Sequence, residues 1–206
     1  MKPLHVFLDV GNVLVHYDRS TALARVADGL GVTPARLEDE VTAARLLEEL
    51  EAGRLDWPGV CSRLADRLGR SVDSETAGQA YCTGFTFNHG MIPVLVGIER
   101  AGCPVGVLSN SSAIHWEHLA ERGFKLLPGT LRPVVLSHVE GHLKPEPAIF
   151  DIATRRAGVS PDRIFFTDDI PSHVDAARKA GWDAEVFVSP IELARSLERR
   201  GFDLGL

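Results

Sequence analysis

What most constrains this chain is a recurrence. Short, continuously apolar and β-rich runs appear at Leu4–Leu8, Val105–Leu108, Val134–Leu136, Ile164–Phe166 and Ala184–Val188, with helical patterns between them from the second onward. A half-exposed strand alternates apolar and polar residues, so a run without alternation has both faces covered. The pattern predicts an α/β fold, a Rossmann-like doubly wound parallel sheet with helices above and below it. Gly102, Gly123, Gly158, Gly181 and Gly201 each follow a helical stretch, where a left-handed residue closes the last turn.

Roughly ninety residues separate the first two runs, far more than a crossover helix of ~10–15 residues needs. That stretch reads as helices without a convincing strand. One covers Ser20–Leu30 and stops at Gly31, and a second opens with Thr33 as N-cap and Pro34 at its first turn. Another ends at Gly53, one runs from Asp56 to Leu68 and stops at Gly69, and one lies around Ser74–Phe85. The expected organisation is a core of residues 1–16 and 89–206 with a helical cap inserted as residues 17–88. The two crossings, near His16 and near His89–Gly90, are where a hinge can act.

Three of the apolar runs end directly in polar residues. FLDVGN places Asp9 after the first, VGVLSN places Ser109 and Asn110 after the second, and FFTDD places Thr167, Asp168 and Asp169 after the fourth. In an open parallel sheet the carboxyl ends of the strands share one edge, where ligands bind at the topological switch point. Carboxylates gathered there repel one another unless a cation sits among them. Mg²⁺ suits such a place, because it binds through one or two carboxylates, water and a substrate phosphate. The remaining phosphate oxygens then need donors, which Ser109, Asn110, the backbone N–H groups of the Gly11–Asn12 turn and a lysine can supply.

Each residue alone has a plainer reading. Asp9 would be a turn-capping carboxylate, Asp168 and Asp169 would cap the following helix, Ser109 and Asn110 would form an ordinary turn, and Lys144, before Pro145, would be a solvated loop lysine. Their coincidence favours a site. His115 with His118, and His138 with His142, have helical metal-ligand spacing, but neither pair has a cysteine or a clear third ligand beside it. Arg45, Tyr81, Phe85 and Phe87 read first as packing residues.

Acidic side chains outnumber basic ones by 28 to 22, with no run of lysine or arginine, so neither nucleic acid nor an anionic membrane is the expected partner. Cys61, Cys82 and Cys103 are far apart and odd in number, which suggests neither a disulfide framework nor a thiolate metal site. No stretch reaches the ~18 apolar residues of a membrane span. A cytoplasmic protein acting on a small molecule is expected, in an oligomeric state that the sequence leaves open.

Four segments together resemble the motifs of haloacid dehalogenase (HAD) superfamily hydrolases: FLDVGNVLV, VGVLSN, GHLKPEPAIFDIA with Lys144, and IFFTDDIPSHVDAARKAGW. The subgroup they resemble contains bacterial sugar-phosphate phosphatases and the phosphatase domain of soluble epoxide hydrolase. The resemblance implies a Mg²⁺-dependent hydrolase of small phosphorylated metabolites, with Asp9 as the nucleophile that forms an aspartyl-phosphate. It implies Asp9, the Gly11 carbonyl and Asp169 as metal ligands, with Asp168 a ligand through water or an orienting group. Gly11, Asn12, Ser109, Asn110 and Lys144 would bind phosphate, and Lys144 would also neutralise charge in catalysis. One departure stands out. Many relatives carry a second aspartate two residues after the nucleophile as general acid, and this chain has Gly11; His16 and His89 are substitutes to consider. The rival readings are a catalytically silent phosphate-ligand binder, in which Gly11 marks lost turnover, and a metal-independent dehalogenase, which would not need the acidic pair. A receiver domain shares some of these residues but not their order.

Overall fold

A computed structural model describes residues 2–122 and 131–205. The strands β1 (His5–Leu8), β2 (Val15–Tyr17), β3 (Phe85–Phe87), β4 (Val105–Ser109), β5 (Val134–Leu136), β6 (Ile164–Asp168) and β7 (Asp183–Val186) form two sheets. The larger is parallel, in the order β5-β4-β1-β6-β7, with β1 at its centre.

Continuous apolarity has the expected cause. Along β1, Val6 and Leu8 point into one cluster with Met91, Leu95 and Ile98 of α6 (Met91–Arg100) and Leu197 of α11 (Pro190–Arg199). Phe7 points the other way, joining Phe150 of α9 (Pro147–Ala157), Val174 of α10 (Pro171–Lys179), Phe166 and Trp182. Every residue of β1, β4 and β6 is buried, so the period-two alternation sorts apolar side chains between two cores instead of between core and water. Gly106 lets β4 close up: a side chain there would meet Phe7 at 2.6 Å and the Pro133 carbonyl at 2.7 Å.

Between β2 and β3 the chain forms α1 (Arg19–Leu30), α2 (Pro34–Ala43), α3 (Leu46–Glu51), α4 (Trp57–Leu68) and α5 (Ser74–Tyr81). Their starts follow capping chemistry: Asp18, Thr33, Asp56 and Asp73 each accept a backbone N–H from the first turn. Their apolar faces close on a cluster of their own, including Leu23, Val26, Leu37, Val41, Leu46, Leu64 and Tyr81. At about 1.5–3 kcal/mol for each fully buried large side chain, this cluster is a substantial part of the lobe's stability.

The expectation of helices alone across 17–88 is corrected at both ends. β2 and β3 pair antiparallel, Val15 with Phe87, His16 with Thr86 and Tyr17 with Phe85, and Asn88 closes the ribbon by donating to the Val13 carbonyl at 2.8 Å. Strands of three residues are too short to show a period, so Phe85 read as the end of α5. Gly102, Gly158, Gly181 and Gly201 do carry positive φ, whereas Gly123 lies outside the described residues. Among the described residues, no helix is long and apolar enough to cross a membrane.

Candidate active site

β1, β4 and β6 run side by side, so their tips deliver Asp9, Ser109–Asn110 and Asp168–Asp169 to one edge of the sheet. Asp9 follows β1 directly and is tied to β6 by its N–H, which donates to the Thr167 carbonyl at 3.1 Å. The carboxylates of Asp9, Asp168 and Asp169 offer oxygens that all lie within 4.8 Å of one another. Among the described residues, the histidine pairs at 115/118 and 138/142 lie outside this group.

Lys144 enters from the loop before α9. Its ammonium donates to Asp9 Oδ1 at 2.8 Å, to Asp168 Oδ2 at 2.5 Å and to the Leu108 carbonyl at 3.0 Å. Lys144 is only 3% exposed and Asp168 fully buried, so these are charge pairs in a poorly solvated place, where charge-assisted hydrogen bonds are short and strong. Burial pushes the Asp9 carboxyl above its ordinary value, while the Lys144 ammonium pulls it back and the Asp168 charge pushes it up again. For Asp168 burial also works upward, but Lys144 and His173 outweigh it and hold the carboxyl at about 2. Burial would lower the lysine, yet its two carboxylate partners raise it.

The neighbours divide the work of orientation. Asn110 donates through Nδ2 to the Lys144 carbonyl at 2.9 Å and accepts the Lys144 N–H at 2.7 Å. This reciprocal amide pair fixes the backbone from which the lysine reaches, a role that the sequence did not suggest. Ser109 is 2% exposed; its hydroxyl donates to the Asn110 carbonyl at 3.4 Å and, from beside Asp9, favours the ionised form of that carboxyl. Asn12, at φ 54°, donates from its side chain to Asp169 Oδ2 at 3.0 Å. The oxygens of Asp168 are crowded: Ile170 N–H reaches Oδ1 at 2.8 Å, and His173 Nδ1 lies 3.1 Å from both oxygens. Asp169 is partly exposed by comparison.

Residues outside the motifs are also accounted for. His115 packs among Tyr17, Tyr81 and Phe85, with ring centroids 4.8, 4.3 and 5.0 Å away. His138 Nδ1 sits 2.7 Å from the Ser111 carbonyl, and His142 pairs with Glu146 at 3.1 Å. His16, within β2, and His89, two residues past β3, are both exposed. Arg45 has φ 50° and is paired with Glu48 on the outside of the lobe. The sequence reading passed over Glu51. Burial raises its carboxyl above the usual range, and the charges of Arg19, Asp9 and Lys144 act on it in turn. Its only sequence signal is a place in the acidic run of α3.

Comparison with known proteins agrees with this arrangement. The chain is 29% identical over 187 residues to D-ribitol-5-phosphate phosphatase of Bacteroides thetaiotaomicron, covering 87% of this chain and 89% of that one. It is 24% identical over 189 residues to glyceraldehyde 3-phosphate phosphatase of Methanopyrus kandleri, covering 85% and 80%. A HAD family enzyme of Bacteroides thetaiotaomicron, solved in complex with magnesium and inorganic phosphate, superposes with a TM-score of 0.78 at 22% identity, covering 90% of this chain and 94% of that one. The haloacid dehalogenase-like hydrolase family matches residues 5–181. With the sheet order, the strand-tip carboxylates and that match in agreement, the chain belongs to the haloacid dehalogenase-like hydrolase family.

Proposed function

We propose that this protein is a magnesium-dependent hydrolase of small phosphomonoesters that uses Asp9 as its nucleophile. The observation that carries the reading is the Lys144 ammonium lying between Asp9 and Asp168, with Asp169 close by. Three carboxylates against one lysine leave two negative charges, and an all-oxygen donor set with that deficit fits a hard divalent cation. Asp9, the Gly11 carbonyl and Asp169 would hold it. The crowded hydrogen bonding of Asp168 supports an orienting role for that residue rather than a direct one. Magnesium, when bound, would neutralise the carboxylates and polarise the phosphoryl oxygens.

The chain's own groups then divide the reaction. An Asp9 carboxylate oxygen attacks phosphorus as the bond to the leaving oxygen breaks, giving an aspartyl-phosphate, and water later cleaves it and returns the carboxylate. Lys144, fixed by Asn110, neutralises charge on Asp9 and on the phosphoryl group. Ser109 and the N–H groups of the Gly11–Asn12 turn supply donors to phosphoryl oxygens. The α1–α5 lobe serves as the cap that closes the site to water. The names of the two phosphatase relatives support a polyol phosphate or sugar phosphate as substrate.

Hydrolysis of p-nitrophenyl phosphate tests the reading. The purified protein should turn it over with Mg²⁺ and stop when EDTA removes the ion. Asp9→Asn should lose at least about 10⁴-fold in kcat. Equal activity with and without the metal, or in the variant, would overturn the proposal and leave silent phosphate binding or dehalogenation in its place.

A further inference from the structure

The helical lobe meets the core along a seam at α8 (Ser137–Glu140), and one buried hydroxyl there joins segments far apart in sequence. A serine at the start of a helix ordinarily caps its own first turn. Ser137 does not. α8 has no side-chain cap, and the hydroxyl reaches instead to Glu51 and Ser111, 86 and 26 residues away.

α3 ends at Glu51, and a helix leaves its last carbonyls to find donors outside its own ladder. Those of Glu48, Glu49 and Leu50 receive the main-chain N–H groups of Ala52, Arg54 and Gly53. The Glu51 carbonyl receives the Ser137 hydroxyl, at 2.5 Å. On its other side Ser137 Oγ accepts the Ser111 N–H at 3.0 Å, while His138 Nδ1, from the next residue of α8, lies 2.7 Å from the Ser111 carbonyl. Both main-chain groups of Ser111 are thus gripped from α8. Ser111 follows Asn110, whose amide holds the main chain of Lys144. One side chain therefore registers the lobe against the loop that sets the Lys144 ammonium.

The seam is also tight. Gly53, two residues beyond Glu51, abuts the His138 carbonyl so closely that a side chain would collide with it. Ser137 itself is fully buried, so nothing replaces its hydroxyl while the lobe is seated. That hydroxyl has one proton and two acceptors in reach, the Glu51 carbonyl and, at 3.2 Å, the Ser111 carbonyl. With the lobe seated the proton belongs to the shorter bond. With the lobe lifted it turns to Ser111, so Ser137 keeps a partner in both positions.

We propose that Ser137 is the positioning residue that seats the lobe over the strand-tip site, its hydroxyl bonding the Glu51 carbonyl in the seated state and the Ser111 carbonyl in the lifted one. This deepens the phosphatase reading above and rests on it. Ser137 acts through the main chain of Glu51 rather than on the substrate. Removing the hydroxyl strands the Glu51 carbonyl in the seated lobe, whereas water reaches that carbonyl once the lobe lifts. The Ser111 N–H loses its acceptor in both states, so that loss cancels. The seated fraction falls, and a substrate that binds beneath the lobe binds more weakly in proportion.

The test is a split between two ligands. p-Nitrophenyl phosphate carries a ring for the lobe to cover, whereas inorganic phosphate fills only the strand-tip site. In Ser137→Ala the KM for p-nitrophenyl phosphate should rise ~5–150-fold, the range for a buried carbonyl left without its donor. kcat should hold, and inorganic phosphate should inhibit as it does in the wild type. Melting curves check folding; if Ser137→Ala does not fold, Gly53→Ala, which presses on the same seam from the lobe side, should show the same split. A lower melting temperature with KM unchanged makes Ser137 a packing residue only, and an equal weakening of phosphate inhibition places its effect in the loop after β4. Either result overturns the assignment while leaving the phosphatase intact. A wild-type protein that does not hydrolyse p-nitrophenyl phosphate removes both.

Discussion

The sheet core and the helical lobe are both built on buried apolar clusters, yet they use polar residues in opposite ways. In the core, charged groups are drawn inside and tied to one another, with Lys144 between Asp9 and Asp168 and Asn110 pinning the lysine's main chain. In the lobe, charges stay on the surface as pairs such as Arg19–Glu38 and Arg67–Glu40, where each pair contributes little. Buried polar groups specify geometry and exposed ones leave it free. The core therefore carries a preset polar cluster, while the lobe can vary in sequence and still fold.

Three substitutions would break or sharpen that contrast. Lys144→Ala removes the ammonium from a place where two carboxylates depend on it, so kcat on an aryl phosphate should fall ~10²–10³-fold and the metal-free protein should lose about 3–5 kcal/mol in urea melts. A loss of less than tenfold in rate would mean that the core site is not electrostatically preset.

The second concerns the seam. Burial lowers the His115 ring from 6.5 to about 4, and the unfolded chain binds more protons between those values. Stability should be full above pH 6.5 and fall as the pH drops toward 4, by about 3 kcal/mol for a shift of this size. His5, buried in β1, is lowered to about 4 in the same way. His115→Phe should therefore remove one share of the slope, measured by urea melts at pH 7 and 4.5, and leave the other. An unchanged slope would place the acid sensitivity in the core alone.

The third substitution is Gly53→Ala. Its φ of 68° alone costs a side chain about 1–2 kcal/mol, and a Cβ would lie 2.1 Å from the His138 carbonyl oxygen, so main chain has to move and the lobe is pushed off α8. A lower melting temperature with a raised KM would follow. No change in either would mean that the seam is looser than its contacts imply.

Much of the core was legible because its signals are redundant. Continuous apolar runs marked β1, β4, β5 and β6, and the polar residues just past three of those runs marked the site. The lobe's helices were legible from Thr33, Asp56 and the glycines at 31 and 69, since capping is local chemistry. Other features depended on distant partners. Nothing near Asn110 announces that its amide pairs with the backbone of Lys144, 34 residues away; His173, in the turn just after the two aspartates, could by position either touch the site or face solvent, and its contact with Asp168 decides for the first. The β2–β3 ribbon was hidden by brevity.

The reciprocal pairing of Asn110 with Lys144 also governs which loops can change length. A residue inserted between β4 and Asn110, or between α8 and Lys144, would shift one half of the amide pair and carry the ammonium off both carboxylates. Insertions beyond Gly158 or around Gly69 would meet no such tether. Length variation in natural variants or engineered versions should therefore collect on the far side of the sheet and at the outer turns of the helices.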